Sequence, residues 1–451
     1  MALSSSPSVF SQEQIRCLEE ENVFLQVPQA ITQSGKRKVS ATFTPPRSSS
    51  SSSSSVSIET RGFQDGIVQT FDIPTSDESV EVLEFIGFSA DTAIDLYSRY
   101  ANRPDPEENP DSLFDYACGH LASLNTQRYE EMGTRQALIA VGLTTKLVEA
   151  ILDPAFTDVF GTQSPFFWAK DSVATNYATL RNHQRLLASF ATQQMARKTK
   201  SSKRQCQTAG TRPPPPSQEV PAPMAAATIN IESSDLNLPK DHIQVQTEDV
   251  EILEDAVSLY KGKSFLELSF EETSLIAEDG SINIMQLASV QGGDFNWAFS
   301  AHYWTPHKET AEKYREWAAH RCPQAITCVI HIQVPSSFVR GLHREDLRFS
   351  PDWKEYVWTS RKGIQPAPKF DRLWRPGQAQ VVVGPFCSLY DPRIGRIRAK
   401  NIQTDITADN TLKLLSGKKS VQWVFVALDT MLQLGVEVRG KMHLIIYQGS
   451  T

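Results

Sequence analysis

Six cysteines are all that 451 residues carry, and Cys17, Cys118, Cys206, Cys322, Cys328 and Cys387 follow no framework spacing. That excludes a disulfide scaffold and points to free thiols in a reducing compartment. No apolar run approaches the roughly 18 residues needed to cross a bilayer. Residues 1–14 lack the basic-then-apolar order of a secretory signal. The expected residence is cytoplasmic or nuclear, with no membrane partner. Positive charge is short as well. Lys and Arg number 45 against 52 Asp and Glu, a net charge of -7, so the chain as a whole is not a nucleic-acid polycation and no specific nucleic-acid partner is expected. Hydrolase and nucleotide signatures are missing too: no G-x-S-x-G elbow, P-loop or dinucleotide glycine fingerprint occurs. A zinc site assembled from His320, Cys322, Cys328 and His331 has an unusual spacing. Cys328 and His331 also fall on opposite faces of a strand, so no metal is expected.

What is present divides the chain into four parts. Residues 1–76 read as a mostly disordered tail holding the serine run Ser48–Ser55, with a ragged apolar pattern over Ser11–Gln26 that fits a short helix. Residues 77–195 read as an all-helical domain. Ala93, Leu96, Tyr97 and Tyr100 share one helix face, and Ser89 precedes them as a cap. Residues 196–244 read as a disordered basic and Pro-rich linker. Its cluster Arg197, Lys198, Lys200, Lys203 and Arg204 fits a nuclear localisation signal, an anion-binding patch or a solvated tail. Pro213–Pro216 is an extended segment that can dock a Pro-reading partner.

Residues 245–448 read as an α+β domain of two small sheets. Ile326, Cys328, Ile330, Ile332 and Val334 alternate with Thr327, Val329, His331 and Gln333, the clearest strand pattern in the chain. Further strands are predicted at Ala256–Tyr260, Trp297–Trp304, Gln380–Val383, Val421–Val426 and His443–Tyr447. Lys261-Gly262-Lys263 is read as the turn closing the first of these. Thr305 and Pro306 follow the aromatic strand as cap and first position of a helix whose buried face holds Ala311, Tyr314 and Ala318.

Five blocks in this part carry a resemblance. They are Val257–Gly262, Asp294–Ala318, Trp353–Arg361, Val382–Pro385 and Val421–Phe425. In this order they resemble the ADP-ribosyltransferase-like superfamily, in the DF…FYLT…A..WA form of a fungal and bacterial domain family of unknown function. Asp294-Phe295, His302–Thr305 and Ala311 with Trp317-Ala318 carry the second motif. The resemblance implies a cleft that takes NAD as substrate. It implies that Tyr303 stacks on the nicotinamide ring and that Lys261, after Tyr260, hydrogen-bonds a ribose or the amide. Gln422 would bind the nicotinamide ribose and favour an oxocarbenium-like transition state. Tyr303 and Gln422 are thus the implied catalytic residues, and Lys261, Tyr303 and Tyr260 the implied cofactor-binding ones.

Two positions depart from the active pattern. Lys261 stands where the family has histidine, a point cation without directional ring nitrogens. Gln422 carries no charge, whereas a carboxylate beside a developing cation is worth several kcal/mol. Two functions follow from different classes: ADP-ribosyl transfer or NAD binding at a degenerate site, and a non-catalytic scaffold that holds protein partners through the helical domain and the Pro-rich linker.

Overall fold

Alternation places Val39, Ala41 and Phe43 on the buried face of strand β1 (Lys36–Thr44). This strand pairs antiparallel with β3 (Gln69–Pro74) and parallel with β4 (Ala227–Asn230). Strand β2 (Val56–Arg61) lies parallel between β5 (Ile243–Gln246) and β12 (Met442–Tyr447). The computed structural model describes residues 7–25, 35–47, 54–63, 67–105, 108, 110–123, 132–207, 226–246, 250–265, 274–289, 291–389 and 393–449. Within them the expected disorder of 1–76 and 196–244 is corrected. Short alternating strands from both segments complete sheets with residues far away in the chain. Ser48–Ser53 and Pro213–Pro216 lie outside the described residues.

Among the described residues the molecule is mixed α/β, with helices around three small mixed sheets; two of them draw strands from 245–448, and the third, β3-β1-β4, lies wholly outside that part. The five-stranded sheet runs β5-β2-β12-β8-β6, where β6 is Ala256–Ser264 and β8 is Thr327–Pro335. Strand β8 is buried on both faces, because helix Lys308–Arg321 covers one of them at Ala311, against Val329 and Ile445. The four-stranded sheet runs β7-β11-β10-β9, with β7 His302–Trp304, β9 Arg344–Asp346, β10 Val381–Pro385 and β11 Val421–Phe425.

Ser11 opens helix Gln12–Glu20 with a capping box closed by Gln14. Helices Val80–Ile86, Ala90–Ala101, Leu113–Ser123, Thr134–Ala140 and Thr145–Ile151 follow the apolar periodicity. Two turns of the same make lock them together: Ser89 N donates to Gly142 O at 2.7 Å and Thr144 N to Gly87 O at 2.9 Å. Both glycines have positive φ, a region costly for other residues. The long helix Pro165–Gln207 spans the basic cluster, and Lys198 there pairs with Glu20 and Glu21, each at 2.9 Å.

The helical segment and the sheets share one hydrophobic core. Leu147, Phe160 and Trp168 belong to the same buried cluster as Trp304, Trp317 and Leu444. A second cluster, with Phe295, Trp353, Tyr356 and Val424, backs the four-stranded sheet. Among the described residues no helix is long and apolar enough to cross a membrane, and no group of three or more His, Cys, Asp or Glu is placed to hold a metal ion.

Candidate functional site

Strand β6 does not turn at Lys261-Gly262-Lys263; it runs on to Ser264. Gly262 makes this possible, because a Cβ there would overlap Ala311 O on the helix packed across it. The two larger sheets touch at one bridge, Tyr260 N to Thr305 O at 2.7 Å and Thr305 N to Tyr260 O at 3.0 Å. Beyond it β6 pairs only with β8, and β7 only with β11. The parting strands leave a cavity of 380 Å³, lined by Lys261–Ser264 from one side and by Tyr303 and Trp304 from the other. Antiparallel pairing repeats every second residue along an edge. The register that aims the Tyr260 peptide groups at Thr305 therefore aims those of Gly262 into the cavity.

All four residues singled out in the sequence line this space: Tyr260, Lys261, Tyr303 and Gln422. Lys261 Nζ donates to Leu287 O at 2.7 Å. Tyr260 is partly buried and stacks on His331, ring centroids 4.5 Å apart. Tyr303 lies under a tight turn. Its hydroxyl donates to Asn296 Oδ1 at 2.8 Å and accepts from Phe295 N at 3.0 Å. Gly293 in that turn also has no room for a Cβ, which would meet the phenol oxygen. Burial, then the Asp294 charge, holds the phenol well above its ordinary pKa, so Tyr303 remains a neutral aromatic wall. Its neighbour His302 is fully buried and pushed down to about 3, by burial first and Lys261 second.

Gln422 is held by a network that the motif blocks build among themselves. Its Nε2 donates to Asp294 Oδ2 at 2.7 Å and to Pro385 O at 3.1 Å. Asp294 Oδ1 accepts from Arg361 Nε at 2.7 Å, and Asp294 Oδ2 also accepts from Cys387 N at 2.8 Å. Arg361 in turn donates to Cys387 O, Leu389 O and Gly161 O. The side chains of this ion pair are only 5% and 3% exposed, and the pair is tolerated in that setting because nearly every donor and acceptor is matched. Burial works against the Arg361 charge, but Asp294, Cys387 and Tyr314 together outweigh it and raise the pKa. Burial also pushes the Cys387 thiol up to about 11, so it is no nucleophile at neutral pH.

Asp294 and Arg361 stand inside the motif blocks, but the motifs assign them no role; the DF pair that Asp294 opens and the arginine that closes the Trp353–Arg361 block were the available signal. A second set had no signal at all. Thr162, Gln163, Phe167, Trp168 and Asp171, from the helical segment, form another wall of the cavity. Comparison of the chain with protein-family models, with curated proteins and with solved structures finds no match.

Proposed function

We propose that this is an ADP-ribosyltransferase-like protein whose cleft binds the nicotinamide end of NAD and does not transfer ADP-ribose. The observation that carries the reading is the meeting of Lys261, Tyr303 and Gln422 on one cavity into which the Gly262 peptide groups point. One N–H and one C=O on a strand edge match the acceptor and donor of a carboxamide, and Tyr303 offers a flat apolar neighbour for its ring. The volume lies within the roughly 300 to 1,000 Å³ typical of small-molecule sites.

Absence of transfer follows from the charges. An oxocarbenium-like transition state draws on a carboxylate at its face, and Gln422 supplies none. Asp294 is the nearest carboxylate, but both its oxygens are taken by Arg361, Gln422 and Cys387 N. Buried thiols outside any disulfide at Cys17, Cys322, Cys328 and Cys387 fit a cytoplasmic or nuclear setting.

Calorimetric titration of the full chain with NAD, run beside an assay for released nicotinamide, tests this. Saturable heat is expected, weakened at least tenfold by Lys261→Met, with no nicotinamide above the enzyme-free blank. Absence of heat at millimolar NAD would remove the reading and favour a non-catalytic, partner-holding protein. Nicotinamide release that Tyr303→Ala abolishes would instead establish an active transferase.

A further inference from the structure

The cavity is longer than a nicotinamide ring needs. Ala311, Tyr314, Ala318 and Arg321 line it along helix Lys308–Arg321, and from 311 to 321 a helix rises about 15 Å. The end at Ala311 is the one already described: Thr310 Oγ1 meets Ser420 Oγ at 2.8 Å, close before Gln422, and Gly262 lies against Ala311 O. The helical segment runs along the same helix and is tied to it in step. Tyr314 Oη donates to Thr162 Oγ1 at 2.9 Å, Trp168 packs edge-on against Trp317 with centroids 4.4 Å apart, and Asp171 pairs with Arg321 at 2.7 Å. This wall starts beside Asp294, because Arg361 holds both Gly161 O and Asp294 Oδ1. Each later tie takes it further along the helix and away from Gln422. Gln163 and Phe167 stand between the first tie and the last, both half-buried on the cavity lining. Ser164 Oγ accepts from Phe167 N at 3.1 Å and fixes the turn between them. Phe167 meets Trp168 edge-on, centroids 4.9 Å apart and planes at 90°, an arrangement that leaves one ring face uncovered by the other. The Gln163 carboxamide has no hydrogen-bond partner among the described residues.

We infer that the helical segment holds the second base of the dinucleotide. The inference rests on the nicotinamide reading above and adds the residues that grip the other half of the ligand. Phe167 stacks on the adenine, and the Gln163 carboxamide bonds its edge. A carboxamide offers a donor and an acceptor side by side, and adenine presents an amino group next to a ring nitrogen. A half-buried aromatic ring is the usual platform for a base, since every base has a π-face. Neither residue lies in the motif blocks. The grip on the second nucleotide is therefore supplied by the part of the chain that those motifs omit, and the ties to Tyr314, Trp317 and Arg321 hold it in place.

The test titrates the full chain with NAD, with nicotinamide mononucleotide, which lacks the adenine, and with ADP-ribose, which lacks the nicotinamide. NAD is expected to bind at least tenfold more tightly than the mononucleotide, and ADP-ribose to bind on its own. Phe167→Ala is expected to weaken NAD and ADP-ribose at least tenfold, as loss of a stacked base does, and to leave the mononucleotide unchanged. Gln163→Ala is expected to give the same pattern with a smaller loss, and it reads the wall should Phe167→Ala fail to fold. NAD binding no more tightly than the mononucleotide overturns the inference and leaves the nicotinamide site standing. A wall variant that weakens the mononucleotide as much as NAD also overturns it. Binding of ADP-ribose that Phe167→Ala weakens, with no binding of the mononucleotide, has the opposite meaning: the second-base site stands and the nicotinamide reading falls. Binding of none of the three removes both.

Discussion

The side chain at 422 must give hydrogens to its neighbours, since both Asp294 Oδ2 and Pro385 O accept from it. A carboxylate has none to give. Gln422→Glu would not restore a transferase; it would set two carboxylates against each other in a buried site. The new glutamate would then titrate above its unfolded value of about 4.3, so its penalty is absent at low pH and grows as pH rises. Chemical denaturation should show the variant about 2–4 kcal/mol less stable than the parent at pH 8, with a smaller gap at pH 5.5. Arg361→Ala leaves Asp294 charged, buried and without its cation, and a loss of about 3–5 kcal/mol is expected in the same assay. Gly262→Ala should cost about 1–3 kcal/mol, because the added methyl has to displace the helix backbone at Ala311. Each value is checked by a shift in the denaturation midpoint at unchanged slope.

Among the elements, those with a clean period were legible. Strand β8 was read almost to the residue, and β10, β11 and β12 within one or two. What misled were elements whose form depends on distant partners. The aromatic pattern from Trp297 predicts one strand, yet only His302–Trp304 forms a strand, with Ala301 adding an isolated bridge to Ser289. Asn296 Nδ2 donates to Phe299 O at 2.8 Å and folds the earlier part into a loop. Thr305 was read as the helix cap, but its hydroxyl donates to Val421 O and the helix starts at Lys308. Strands β1 and β2 were hidden by the serine run between them, which drew the composition of the whole segment toward a tail. The ordered motifs name Tyr260, Lys261, Tyr303 and Gln422, which line the cavity, whereas the wall from Thr162 to Asp171 lies 86 to 95 positions before the first motif block at Val257 and leaves no local trace. The strand pairing also yields an expectation. A fragment of residues 245–451 loses β2 and half of β5, exposing the edge of β12. It should show no cooperative thermal transition by circular dichroism and should associate through that open edge, while the full chain melts cooperatively.

For the whole molecule, acid is the weak side. His183, His302, His331 and His443 are all buried, and burial lowers them to about 4, 3, 3 and 4. Their unfolded values lie near 6.5, so between pH 6.5 and about 4 the unfolded chain binds more protons than the folded one. Stability is then full above pH 6.5 and falls as pH drops, by up to about 5 kcal/mol per pH unit when the four act together. Urea titrations from pH 7.5 to 5 should show a steep loss, and His443→Gln, which keeps a hydrogen-bonding group near Ser57, should flatten it. A slope of zero over that range would contradict the burial of these rings.

The placement of β2 between β5 and β12 also governs how the molecule can be made. Residues 56–61 leave the ribosome long before residues 442–447, their neighbours across Met442↔Val56 through Tyr447↔Arg61. Until those later residues emerge, a strand with apolar Val56 and Ile58 has one partner side open, and contacts of such sequence separation form slowly. Nascent chains of this protein should therefore depend on holding chaperones through most of translation, and a pause late in synthesis would prolong the interval in which premature aggregation competes with closure.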